Sequence, residues 1–175
     1  SRLLLGHMDG ATAIGTLRDA FADCGVTAER LDFRPKMPMG QYLALHHEAD
    51  IVLDSWPYSG GTTTNHALWM GVPVVSMRGS SRVHGQSAAS IGRTGLGDWV
   101  VENEADFVRL AVARASDLPA LAHLRSSMRA RWLRSPWRNH AVIARGLEAG
   151  FRAMWQRWCA GLPAEHFEIE AETVG

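Results

Sequence analysis

Lysine is almost absent from this chain. Lys36 is the only one, and arginine supplies the rest of the 18 basic side chains. They are balanced by 18 acidic side chains, for a formal net charge of zero. A nucleic-acid-binding domain is usually basic, with its charge gathered on one face, and nothing in this balance points to one. Cysteine is scarce too. Cys24 and Cys159 lie far apart and fit no metal or redox spacing, so two free thiols in a reducing, cytoplasmic setting are expected. No apolar run approaches the roughly 20 residues of a membrane-spanning helix, so no membrane partner is expected. The start, Ser1-Arg2-Leu3-Leu4-Leu5, lacks the charged region, long apolar core and cleavage site of a leader. It also lacks a methionine and enters an apolar run at once. That reads as a cut inside a longer protein, with a processed or tagged terminus as the alternative. There is no internal repeat and no low-complexity segment.

What the chain has is enough apolar content for a core. Its 175 residues are 46% hydrophobic, the range of a single globular domain. Short apolar runs alternate with helical patterns. Leu3–Leu5, Arg30–Phe33, Ile51–Asp54, Pro73–Met77 and Trp99–Val101 read as strands. Helical periodicity runs over Thr12–Cys24, from about Gly40 to Glu48, and over Thr62–Met70, with partial helix over Val83–Gly95. Arg78–Gly85 reads as a polar loop. After Asn103 the chain turns helical: Asp106–Ala115, Leu118–Arg134, and about Asn139 to Ala160, stopped by Gly161 and Pro163. The alternation predicts an α/β domain, a Rossmann-like parallel sheet flanked by helices with a helical C-terminal segment. The lobe is expected over residues 1–161, with 162–175 an acidic, frayed tail. Ligands of such sheets bind beyond the carboxyl ends of the strands.

The most informative stretch is Tyr58–Gly71. It follows an apolar run ending in an acid, Ile51-Val52-Leu53-Asp54, and precedes Val72-Pro73-Val74-Val75. The order is strand, Gly-rich turn, hydroxyl-rich helix start, glycine stop, strand. Gly60 and Gly61 permit a tight turn and close approach of a ligand to the backbone. Thr62, Thr63 and Thr64 add hydroxyls at the helix start. Free N–H groups and the positive end of the helix dipole then favour an anion, a phosphate or diphosphate above all.

Other patterns carry less. His46-His47-Glu48 invites a metal, but adjacent helical residues point in different directions, whereas paired ligands favour spacings of three or four. No metal is expected. Ile143, Leu147, Phe151, Met154, Trp155 and Trp158 form one apolar stripe on the last helix, which reads as packing. Part of it, left uncovered, would promote self-association.

The ordered series of motifs resembles the O-linked N-acetylglucosamine transferase family, in its SPINDLY-like bacterial branch. The matching residues are Ala49–Asp54, Pro57–Thr64 and Ala67–Val75, followed by Gly95–Val100, Ala115–Leu118, Leu121–Arg125, Ser135-Pro136 and Phe151–Trp158. The resemblance implies the C-terminal lobe of a two-lobed GT-B glycosyltransferase, preceded in the family by a first lobe and tetratricopeptide repeats. It implies a UDP-sugar donor, UDP-N-acetylglucosamine in the best-known members, and inverting transfer without a metal or other cofactor. The acceptor protein would be met through the first lobe and the repeats, and this piece alone would not turn over. Gly60, Gly61, Thr62, Thr63 and Thr64 would hold the diphosphate, and His66 the ribose. Tyr42 would stack on the uracil, beside the Met37 backbone, with Met39 where the family can carry a lysine. Gly61 stands where members often have a histidine, and His66 where many have an acid. Arg82 and His84 are weaker candidates near the diphosphate, and Lys36 near the ribose. Two alternatives stay open: a GT-B lobe for another nucleotide sugar, and a degenerate lobe acting only as an interaction module. No catalytic base is legible.

Overall fold

The structure is a computed structural model that describes residues 1–136 and 139–169. The end of the expected tail, 170–175, lies outside the described residues. Five short strands, β1 (Leu3–Leu5), β2 (Leu31–Phe33), β3 (Val52–Leu53), β4 (Val74–Met77) and β5 (Val100–Val101), organise the first two thirds of the chain. Between them run α1 (Ala11–Asp23), α2 (Met39–Leu45), α3 (Thr62–Trp69) and α4 (Arg82–Arg93). Three helices follow: α5 (Glu104–Ser116), α6 (Leu118–Arg134) and α7 (His140–Cys159).

Every strand pair is parallel, as βαβ units require. The ladder is divided, with β1 on β2 and, separately, β3-β4-β5. β3 has only two residues. Its hydrogen bonds go to the β4 side, from Val52 N–H to the Pro73 carbonyl at 2.9 Å and from Asp54 N–H to the Val75 carbonyl at 3.0 Å.

β4 is the buried centre. All four of its residues are buried, and Val74 and Val75 pack with Leu68 of α3, Ile91 of α4 and Met128 of α6. A strand covered on both faces needs a continuous apolar run, and Pro73–Val75 supplies it. α3 ends because Gly71 adopts φ +86°, a left-handed conformation that costs glycine little. The Val72 and Gly71 N–H groups close back on the Ala67 and Leu68 carbonyls at 2.8 and 3.2 Å, the paired bonds of a Schellman stop.

Helix starts divide into two groups. α4, α5, α6 and α7 begin under Ser81, Asn103, Asp117 and Asn139, whose side chains accept a first-turn N–H. α1, α2 and α3 have no side-chain cap. These three follow β1, β2 and β3, so their bare starts lie at the carboxyl ends of strands. The cap at Ser81 also corrects the expected loop over Arg78–Gly85. The helix begins at Arg82, leaving only 78–81 as loop. Trp99 belongs to a short 3-10 turn before β5 and is buried in the core.

α7 buries none of its residues. Phe151, Trp155 and Trp158 are 64, 65 and 76% exposed, so among the described residues the apolar stripe stays largely uncovered. Residues 162–169 form no helix or strand but return along α7. Arg157 binds Glu165 at 2.5 Å and the Pro163 carbonyl at 2.7 Å. Among the described residues, no helix is long and apolar enough to cross a membrane.

Candidate functional site: the Gly60–His66 turn

β3 runs into Asp54, and the chain turns through Ser55–Gly61 into α3. Asp54 holds that turn together. Its Oδ1 accepts the Gly60 N–H at 2.8 Å, and its Oδ2 accepts the Ser76 hydroxyl from β4 at 2.6 Å. From the other side, α4 staples the turn down. The Ser59 hydroxyl donates to the Val83 carbonyl at 2.8 Å, and the Ser87 hydroxyl to the Gly60 carbonyl at 2.7 Å. Ser87 Oγ also receives the Thr64 hydroxyl at 2.7 Å. Ser59, Thr64, Ser76 and Ser87 are all buried, and buried polar groups with partners rigidify what they join.

This wiring alters two of the expected donors. The Gly60 amide does not face outward; it is donated to Asp54, because the turn needs an internal partner to hold its bend. The Thr64 hydroxyl is likewise turned inward, because one helical turn carries residue 64 under the loop toward α4. Thr62 and Thr63 are exposed at the open start of α3, with Gly61 as the residue that precedes the helix. The Gly61 carbonyl accepts the Asn65 N–H at 3.2 Å and the Asn65 side-chain amide at 3.0 Å.

His66 lies one turn further on, half-buried, its ring 5.6 Å from that of Tyr42 in an edge-on contact. Its Nδ1 is buried and without a partner. Tyr42, on α2, also meets His46 edge-on at 5.0 Å and His7 at 5.3 Å. The structure therefore brings together two residues that the sequence separates by a strand and a loop. Met39 opens α2 and is exposed, and Met37 is half-buried in the loop before it. That loop is tied to the one after β1 by the Lys36 N–H, which donates to Asp9 at 2.7 Å. His84 stacks at a tilt on Trp56, 5.0 Å between rings. The side chain of Arg82 lies outside what the structure describes. Among the described residues no three His, Cys, Asp or Glu side chains gather to hold a metal. A cavity of about 490 Å³ opens elsewhere, between α5 and α6, and none of its lining residues belongs to the turn.

Asp54, Ser76 and Ser87, which hold the turn, are not marked as such by the sequence. An acid closing a strand just before a glycine turn was a usable signal for Asp54. Ser87 gave none, because its partner Gly60 is 27 residues away.

His46 carries a testable pH effect. Its Nδ1 donates to the Tyr42 and Leu43 carbonyls at 3.1 and 3.2 Å. Burial pushes its pKa below the ordinary histidine value, against the weaker opposite pull of those bonds. The unfolded ring takes up a proton near pH ~6.5 while the folded ring resists. Stability is therefore complete above that pH and falls as the pH drops below it. In urea unfolding, His46→Gln should lose less stability than the wild type between about pH 7.5 and about pH 5.5.

A parallel α/β sheet with bare helix starts at the carboxyl ends of its strands, and a pinned glycine turn at one of them, defines a Rossmann-like lobe. A family model described as glycosyl transferase family 41 matches residues 9–145, and the chain belongs to that family. It is 37% identical over 156 residues to a Hordeum vulgare protein named "Probable UDP-N-acetylglucosamine--peptide N-acetylglucosaminyltransferase SPINDLY", covering 87% of this chain and 16% of that one. The Arabidopsis thaliana protein of the same name is 39% identical over 138 residues, 78% of this chain and 15% of its own. Among solved structures, a mutant O-GlcNAc transferase of Thermobaculum terrenum superposes with a TM-score of 0.83 at 31% identity, over 91% of this chain and 31% of that chain. The chain thus spans under one third of each relative.

Proposed function

We propose that this chain is the donor-binding lobe of a protein O-glycosyltransferase and holds the diphosphate of a UDP-sugar, UDP-N-acetylglucosamine first among them, at the start of α3. The observation that carries the reading is the uncapped N-terminus of α3, with Thr62 and Thr63 exposed on a turn that Asp54 and Ser87 hold rigid. Bare amides and the positive helix end favour an anion there. In the transfer, an acceptor hydroxyl attacks the anomeric carbon, inverting it, and UDP departs. Negative charge grows on the β-phosphate as that bond breaks, and donors already fixed at that point stabilise the transition state without a metal. Tyr42 offers a flat face for the base. Tyr42 and His66 are in contact, so base and ribose would occupy adjoining space beside the turn. The acceptor would be met by parts of a longer protein, and this piece alone would be inactive. The exposed thiols Cys24 and Cys159 suit a reducing, cytoplasmic compartment.

The test is a titration of the chain with UDP, GDP and free N-acetylglucosamine, followed by calorimetry and by amide chemical shifts. UDP should bind, GDP more weakly, and shifts should centre on Gly61–Thr63. Preference for GDP would replace the donor with another nucleotide sugar. No binding at millimolar ligand would favour an interaction module.

The uncovered stripe on α7 is the surface for the rest of such a protein, or for a second copy of the chain in its absence. Sedimentation should show concentration-dependent dimers, and Phe151→Ser with Trp155→Ser should return the chain to a monomer. A monomeric wild type at high concentration would refute this.

A further inference from the structure

We propose that the cavity between α5 and α6 is a second ligand site, for a small organic carboxylate with an apolar body, anchored by Arg131. It stands apart from the donor-binding reading, since none of its lining residues belongs to the Gly60–His66 turn. The observation that carries it is a missing ion-pair partner. Of the arginines whose side chains the structure describes, five are half-buried: Arg34, Arg114, Arg125, Arg131 and Arg157. Four of them close on a carboxylate, Arg34 on Asp32 and Glu48, Arg114 on Asp98, Arg125 on Asp50 and Arg157 on Glu165. Arg131 closes on none. Its Nε donates to the Ser127 hydroxyl at 3.1 Å, and among the described residues no acceptor meets Nη1 or Nη2. A charge drawn partly out of water is held best by an opposite charge, and the unmet end of Arg131 calls for an anion.

The cavity gives the carrier of that anion a place. Its volume is about 490 Å³, within the range of small-molecule sites. Its floor is apolar: Leu96, Trp99 and Leu121 are buried, and Leu110 and Leu124 pack beside them. Arg131 reaches the Gly95 end, where a Cβ built on Gly95 would stand 3.6 Å from Nη1. Arg114 lines the cavity from α5, its guanidinium 4.9 Å from the centre of the Trp99 ring and its charge answered by Asp98. Its Nε is buried and has no partner, a second donor on the same cavity without an acceptor. Asp117, also on the lining, is already used. It caps α6 by accepting the Ala120 N–H at 3.0 Å, at the positive end of that helix. An apolar floor beside one unanswered cation suits a carboxylate on an aliphatic or aromatic body. A bare inorganic anion would leave the floor unfilled, and a cation would be repelled by Arg131.

The chain, Arg131→Met and Ala113→Phe are titrated with phenylacetate, its neutral counterpart phenylacetamide, and acetate. Amide chemical shifts follow binding, and circular dichroism confirms the fold. Phenylacetate should bind with shifts centred on residues 95–99 and 121–124. Phenylacetamide should bind about tenfold more weakly, the difference between a charged and a neutral hydrogen-bond partner, and acetate more weakly than either. Arg131→Met keeps an apolar stem and removes the charge. It should bring phenylacetate down about tenfold and leave phenylacetamide within about twofold. Ala113 is exposed and lines the cavity from α5, so phenylalanine there should fold normally and exclude both aromatic ligands. The proposal is overturned if the wild type binds no phenylacetate at about 10 mM, or binds it no better than the amide. It is equally overturned if Arg131→Met binds phenylacetate like the wild type, or if folded Ala113→Phe binds both aromatic ligands like the wild type. Should Arg131→Met fail to fold, the acid–amide comparison and Ala113→Phe decide between these outcomes.

Discussion

Gly60→Ala should cost about 2–4 kcal/mol of stability and remove nucleotide binding. The added Cβ would stand 2.6 Å from Thr64 Oγ1, 2.8 Å from Thr63 Oγ1 and 3.3 Å from Asp54 Oδ1. Two of these three neighbours are held in place. Thr64 Oγ1 is bound to the Ser87 hydroxyl, and Asp54 Oδ1 is bound to the Gly60 N–H itself. Moving them breaks buried hydrogen bonds and leaves polar groups without partners, the dearer half of the damage. The turn would then shift away from α4, and with it the start of α3. Urea unfolding and UDP titration measure the two losses. Gly61→Ala is the control. Its neighbour is only the end of the exposed Gln86 side chain, which can swing aside, so its stability should change by no more than about 0.5 kcal/mol. Equal stability losses for the two alanines would show that the network around Gly60 does not hold the turn.

If both hydroxyls bond a charged oxygen of the donor, as proposed, the paired change Thr62→Val, Thr63→Val should lower UDP affinity by at least about a hundredfold. Both side chains are exposed, so the fold should survive, and circular dichroism should be unchanged. Thr64→Val should behave in the opposite way. Its hydroxyl is buried on Ser87, so the substitution costs about 1–3 kcal/mol of stability through the unmatched partner. Once folded, that variant should bind UDP with affinity close to the wild type. The contrast between residues 62–63 and residue 64 separates ligand-facing hydroxyls from structural ones. A double valine variant that binds UDP within about threefold of the wild type would remove the threonines from the donor site.

Much of the fold was legible because it is local. The runs at Leu3–Leu5, Leu31–Phe33 and Val74–Met77 are strands where their apolar, bounded pattern places them. The periodic stretches are helices to within a residue or two at most ends, since caps such as Asn103 and Asp117 and stops such as Gly71 and Gly161 are written in single residues. The loop expected over Arg78–Gly85 is too long because the Gly and Ser composition of that stretch hides the cap at Ser81, while the helix expected from Val83 begins one residue earlier, at Arg82. The apolar stripe of α7 was read as packing because periodicity shows that a face is apolar but not whether anything covers it. The sheet's division was hidden for a related reason, since which edge of β3 is paired depends on strands distant in the chain.

By itself the sequence determined the order of elements, the glycine turn at the end of β3 and the membership of glycosyl transferase family 41, all carried by residues that are neighbours along the chain. Only the tertiary structure decided which donors of that turn face out. Gly60 is turned to Asp54, Thr64 to Ser87, and the space over Gly61 is taken by Gln86. Those choices belong to hydrogen bonds closed when α4 packs on the turn, and a bond between residues 23 or 27 positions apart leaves no periodicity or spacing to read.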